Sequence, residues 1–196
     1  MSFWEKFFGK KNKKKTEKSK YLPESKDPND LSFVKKFTIK GGRFLFCENK
    51  SETLTNFNEI LKENNWNINE TFCFNSDLIN KYNIKTIEHD ISPEKFKTCL
   101  IQCEFLISNT GLILVSDKQI KQYKLKELPE TLIIISNTKQ FASDVSEGMT
   151  LLKNKYENII PTNITTINIK NNLNKDSELN SDINNSKNIY LLLQDF

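Results

Sequence analysis

The chain has 196 residues, 37% of them hydrophobic and 28% charged, with a formal net charge of +4. That length supports one domain with a substantial core, and no apolar run approaches the roughly 20 residues that a membrane-spanning helix needs. The charge is uneven: residues 1–20 hold eight lysines against Glu5 and Glu17, which leaves residues 21–196 at a net −2, so the body offers no basic face for a nucleic acid.

Residues 1–29 read as a basic, aromatic-tipped tail and linker. Within SFWEKFFGKK, helical spacing puts Phe3, Trp4, Phe7 and Phe8 on one face beside lysines. Such a face can rest on an anionic membrane surface, dock on a partner or pack on its own domain. The order of charge and apolar residues is the reverse of a secretory signal. The expectation is a cytoplasmic protein with reduced thiols.

Residues 30–196 read as one α/β domain. Asp30 opens a helix carrying Leu31, Val34 and Phe37, which Gly41-Gly42 closes. A strand follows over Phe44–Cys47, then a helix over 51–65 with Ser51 as cap and Leu54, Phe57 and Leu61 at helical spacing. Thr71–Phe74 is a second strand, Asp77–Tyr82 a short helix, and Thr86–Glu88 a brief extended piece. Ser92-Pro93-Glu94 has the chemistry of a helix start, and Phe96, Cys99, Leu100 and Cys103 would form its apolar face.

Phe105–Ser108 and Leu112–Ser116 are apolar strands separated by Ser108-Asn109-Thr110-Gly111, a tight hairpin or bend. Leu132–Ser136 is another continuous apolar strand. Phe141, Val145, Met149, Leu152 and Tyr156 mark a long helix, and Ile164–Ile169 and Ile189–Leu193 are the last strands. Between these two, the Asn-, Ser- and Asp-rich residues 170–188 read as a flexible loop. Helices alternating with short, doubly apolar strands imply a mainly parallel sheet flanked by helices.

Few residues carry an obvious chemistry. Cys99 and Cys103 share one helical face, and two ligands do not make a metal site, so no metal is expected in this chain. His89 is the only histidine, and nothing in the sequence pairs it with a nucleophile. No glycine-rich phosphate loop is present. Two polar stretches at strand ends remain: Ser108, Asn109, Thr110 and Gly111, and Asn137 with Thr138. Small polar residues at the carboxyl ends of parallel strands are where α/β proteins hold anions. The same residues also serve as turns and helix caps.

The run EFLISNTGLILVS (104–116), the strand KELPETLIIIS (126–136), the segment IPTNITTI (160–167) and the closing strand IYLLL (189–193), with GGRFLFC at 41–47, together resemble the LUD domain. This is the lactate-utilisation family that includes the LutC/YkgG proteins, and the chain looks most like its short bacterial members of Bacteroidetes type. The resemblance implies a fold like that of the ribose-phosphate isomerase and CoA-transferase group. It also implies a soluble component of L-lactate oxidation whose iron–sulfur clusters reside in partner proteins rather than in this chain. Ser108, Asn109, Thr110, Gly111, Asn137 and Thr138 would then face a small anionic ligand. Against the family pattern, Asn109 stands where Glu is common. Lysine (Lys118 or Lys121) replaces arginine after the second hairpin strand, and residues 161–166 lack Gly and Arg. A non-catalytic small-anion-binding or interaction module on the same fold is the alternative these departures suggest.

Overall fold

The computed structural model describes residues 28–84, 92–157, 159–170 and 186–196. The aromatic face at residues 3–8, the extended piece at 86–88, His89 and most of the 170–188 stretch lie outside the described residues.

Nine strands and five α-helices are described: α1 (Asn29–Ile39), β1 (Arg43–Cys47), α2 (Lys50–Glu63), β2 (Thr71–Cys73), α3 (Ser76–Tyr82), β3 (Thr98–Gln102), β4 (Phe105–Ile107), β5 (Leu112–Val115), α4 (Asp117–Ile120), β6 (Thr131–Asn137), β7 (Phe141–Ala142), α5 (Val145–Lys155), β8 (Thr165–Ile169) and β9 (Ser186–Gln194). The strands run in the order β2-β3-β6-β9-β8-β5-β4-β7, and β1 also pairs with β9. Pairing is parallel throughout β2, β3, β6, β9 and β1. It is antiparallel for β4 with β5 and for β5 with β8. The architecture is α/β with a mostly parallel central sheet, as the alternation of elements requires.

Side-chain alternation divides the parallel strands between two cores. Leu100, Ile133, Ile135, Tyr190 and Leu192 pack with Phe57, Ile60 and Leu61 of α2 and Leu78 and Tyr82 of α3. The opposite face (Cys99, Ile101, Leu132, Ile134, Leu191) meets α1 and the inner face of the antiparallel strands, with Leu106, Ile113, Val115 and Ile167. Leu152 of α5 closes a third cluster on the outer face of those strands, with Phe105, Ile107 and Leu114. Each fully buried aliphatic side chain contributes about 2 kcal/mol. No helix among the described residues is long and apolar enough to cross a membrane.

Local chemistry sets the element ends. Asn49 caps α2 by accepting from Glu52 N at 2.9 Å. Asn75 caps α3 through Asp77 N and Leu78 N. After α1, Gly41 takes φ +97°, and Gly42 sits so close to the Phe37 ring that a Cβ would lie 2.4 Å from it. The expected glycine stop is therefore also a packing requirement.

Three expectations change. Ser92-Pro93-Glu94 starts only a 3-10 turn (Pro93–Lys95), and Thr98–Gln102 is a strand, so Cys99 lies on β3 and Cys103 just past its end, neither of them on a helix. Thr98, Cys99, Leu100 and Ile101 are all buried because β3 lies between β2 and β6 with a core on each side. A doubly buried strand satisfies helical spacing as well as a helix does. Second, Phe141 belongs to the short strand β7, and the helix begins only after its cap Asp144. Residues 138–140 are therefore a turn between β6, which runs through Asn137, and β7, rather than a helix opening. Third, two helix starts move: α1 begins at Asn29 after Pro28, with Asp30 inside its first turn, and the cap of α2 is Asn49 rather than Ser51.

Candidate functional site

The chain passes from the parallel strands to the antiparallel ones at two places, after β3 and after β6. Gln140 joins them. Its Nε2 donates to Cys103 O at 2.7 Å and to Glu104 O at 3.1 Å, while its Oε1 accepts from Asn137 N at 2.8 Å and Ser136 Oγ at 3.3 Å. Beside this junction lies a cleft of about 250 Å³. Leu100, Ile101, Gln102 and Cys103 reach it from the carboxyl end of β3, with Phe74 and Asn75 from the end of β2. Lys118 and Gln119 of α4, Gln140, and Lys155 and Tyr156 at the end of α5 complete the wall. This is the end of a parallel sheet at which open α/β folds hold ligands.

Behind the wall stands Glu104, with a side chain 0% exposed. Its Oε1 accepts from Ser116 Oγ at 2.8 Å, Gln119 Nε2 at 2.9 Å and Tyr156 OH at 3.0 Å. Its Oε2 accepts from Lys155 Nζ at 2.7 Å. A buried carboxylate persists only when paired and hydrogen-bonded, and here every partner is a donor. Burial pushes the Glu104 carboxyl up, but the bonds from Lys155, Gln119 and Ser116, with the Lys155 charge, outweigh it. The carboxyl is held below its ordinary range. Burial likewise works against the Lys155 ammonium, and the Glu104 carboxylate more than compensates, so Lys155 is raised. Burial and the Glu104 charge push the Tyr156 phenol up.

Local sequence explains the convergence. Ser116 caps α4, accepting from Lys118 N, and Gln119 returns the bond by accepting from Ser116 N at 2.9 Å. The same residues then donate to Glu104. Thr162 Oγ1 holds Asp117 at 2.8 Å, and Asn163 Nδ2 donates to the carbonyls of Lys121 and Tyr123. The 161–166 stretch thus braces the segment that carries Lys118. The ammonium of Lys118 lies 5.7 Å from the centroid of the Tyr156 ring, and that of Lys155 lies 5.1 Å from it. Lys118 and Lys155 are the charged side chains of the wall, so with Glu104 behind it the site carries net +1.

The six residues expected to face a ligand fall in two turns, and none of them lines this cleft. Ser108–Gly111 form the β4–β5 hairpin turn, packed on α1. Ser32 Oγ donates to Ser108 O, Lys36 Nζ donates to Asn109 O at 2.6 Å, and Thr110 Oγ1 accepts from Leu112 N at 3.4 Å. Gly111 has φ +70°, and a Cβ there would lie 2.8 Å from Phe37 N. The Ser108 hydroxyl is buried without a partner. Asn137 and Thr138 are tied to the chain's last residues: Asn137 Nδ2 donates to Phe196 O and Thr138 Oγ1 to Asp195 Oδ1 at 2.8 Å. Of the two lysines after the second hairpin strand, Lys118 lines the cleft; Lys121 does not. Sequence reasoning missed Glu104, Gln119, Gln140 and Lys155 as site residues. One signal was available: Glu104 is the sole charged residue between Thr98 and Ser116.

No family model matches the chain, and no curated protein does. Among solved structures, that of a DUF162 family protein from Deinococcus radiodurans is similar, with a TM-score of 0.59 at 13% identity over 85% of this chain and 96% of that one. DUF162 is the LUD domain family. At this identity the likeness is one of fold.

Proposed function

We propose that this chain binds a small anionic metabolite in the cleft at the carboxyl ends of β2 and β3, as a LUD-like component of an L-lactate utilisation system working with iron–sulfur partner proteins. The observation that carries the anion reading is the pair of ammoniums, Lys118 and Lys155, at 5.7 Å and 5.1 Å from the Tyr156 ring centroid in a wall that itself holds no carboxylate, the Glu104 carboxylate behind it being paired with Lys155. The likeness of fold and the 104–116 and 126–136 motifs support the pathway.

Among the described wall residues, acid–base chemistry favours binding over proton transfer. A general acid or base works best with a pKa near the operating pH. Here burial pushes the Cys103 thiol up to about 12, while Lys155 and Tyr156 are both raised. This favours the non-catalytic small-anion module as the second reading within the same system.

The test is calorimetric titration of the full chain with L-lactate and with inorganic phosphate, followed by the Lys118→Met and Lys155→Met variants. Saturable binding that either variant weakens supports the reading; no binding of either anion sinks it. Anaerobic co-purification from the native organism tests the pathway separately. A brown, cysteine-rich iron–sulfur partner supports it, and a lone colourless protein counts against it.

A further inference from the structure

Glu104 accepts from three residues of the cleft wall, yet it does not itself line the cleft. Those three come from two separate helices: Gln119 from α4, Lys155 and Tyr156 from the end of α5. Without a common acceptor, a lysine at a helix end has several rotatable bonds and keeps its charge in water. With it, Nζ is fixed at 2.7 Å from a wholly buried oxygen, and the phenol and the amide are fixed on the same group.

We propose that Glu104 is the positioning residue of the anion site, holding Lys155, Tyr156 and Gln119 in the geometry that receives the ligand. The proposal rests on the anion reading of the cleft given above. Glu104 owes its own position to the chain: its amide donates to Leu114 O at 2.8 Å, and Gln140 clamps its carbonyl. The carboxylate is thus a rigid post at the junction of the two sets of strands, and preorganised donors bind more tightly than mobile ones.

Electrostatics and positioning demand opposite results from one substitution. Were Glu104 only a negative charge near the site, Glu104→Gln would remove a repulsion and tighten anion binding. As a positioning residue, its loss frees Lys155 and weakens binding, although the wall becomes more positive. Glu104→Asp sharpens the contrast, since it keeps the charge inside the protein but withdraws it by one methylene. The charge account predicts no change there, and positioning predicts a loss.

The experiment titrates wild type, Glu104→Gln and Glu104→Asp with inorganic phosphate and with L-lactate, each protein first confirmed folded by circular dichroism. The expected result is affinity about tenfold lower in Glu104→Gln and lower by a smaller factor in Glu104→Asp. Should Glu104→Gln not fold, the aspartate variant alone decides. Equal or tighter binding by a folded variant overturns the positioning role while leaving the anion site standing. Wild type that binds neither anion removes the site and this proposal with it.

Discussion

Glu104 and Lys155, 51 positions apart in the chain, meet at 2.7 Å between the start of β4 and the end of α5, one of them wholly buried and the other about half exposed. The pair links the crossover from β3 to the helix that covers the outer face of β4 and β5. It therefore bears on stability as well as on the cleft.

Lys155→Met should destabilise the fold by about 1–2 kcal/mol. The Lys155 end is 46% exposed, so solvent screens part of the pair. What remains is a buried carboxylate that loses its charged donor while keeping three neutral ones. Urea unfolding of wild type and variant measures the difference.

The same pair sets a pH signature. Glu104 has its carboxyl lowered in the folded state, so its contribution is present above the unfolded value and is lost as pH falls through the folded one. Lys155 is raised, so its contribution is present below its ordinary value near 10.5 and is lost as pH rises through the folded one. The stability gap between wild type and Lys155→Met should be widest near neutral pH and close as pH falls through the lowered Glu104 value, below the ordinary carboxylate range. Melting temperatures over that fall in pH check this; a constant gap would contradict it.

Gly111→Ala should cost at least about 2 kcal/mol, because alanine at φ +70° is strained and its Cβ would sit 2.8 Å from Phe37 N. The loss should appear in thermal melts with anion affinity at the cleft unchanged, since this turn does not line it.

All four cysteines are buried and free. Burial pushes the Cys73 thiol up to about 11 and Cys103 up to about 12, against which the bond with Ser136 counts little. A disulfide reagent at mild alkaline pH should modify none of the four in the native protein and all four after unfolding. Rapid reaction of Cys103 in the native state would mean that the cleft opens far enough to expose a thiol that is buried in this structure.

The fold was largely legible because burial patterns were strong. Runs such as Leu132–Ile135 are buried on both faces, and Gly41-Gly42 marked the end of α1, whereas the caps read from the sequence were displaced. The segment 92–103 misled because a central strand and a helix both allow Phe96, Cys99, Leu100 and Cys103 to be apolar. The site was less legible. Ser108–Gly111 and Asn137-Thr138 have the chemistry of ligand turns, yet their groups bond to α1 and to residues 195–196. The cleft residues are scattered from Phe74 to Tyr156, and only folding brings them together. Glu104 is a lone charge among apolar strands, a signal that sequence reasoning missed, and its partners Gln119 and Lys155 look like ordinary surface residues in the sequence.

The central claim is that the cleft beside Glu104 holds a small anion. Amide chemical-shift mapping of the labelled full chain, titrated with L-lactate and with inorganic phosphate, tests it most directly. The account predicts saturable shifts centred on residues 74–75, 100–104, 118–119, 140 and 155–156. Shifts centred instead on 108–111 and 137–138, or none with either anion, would contradict it.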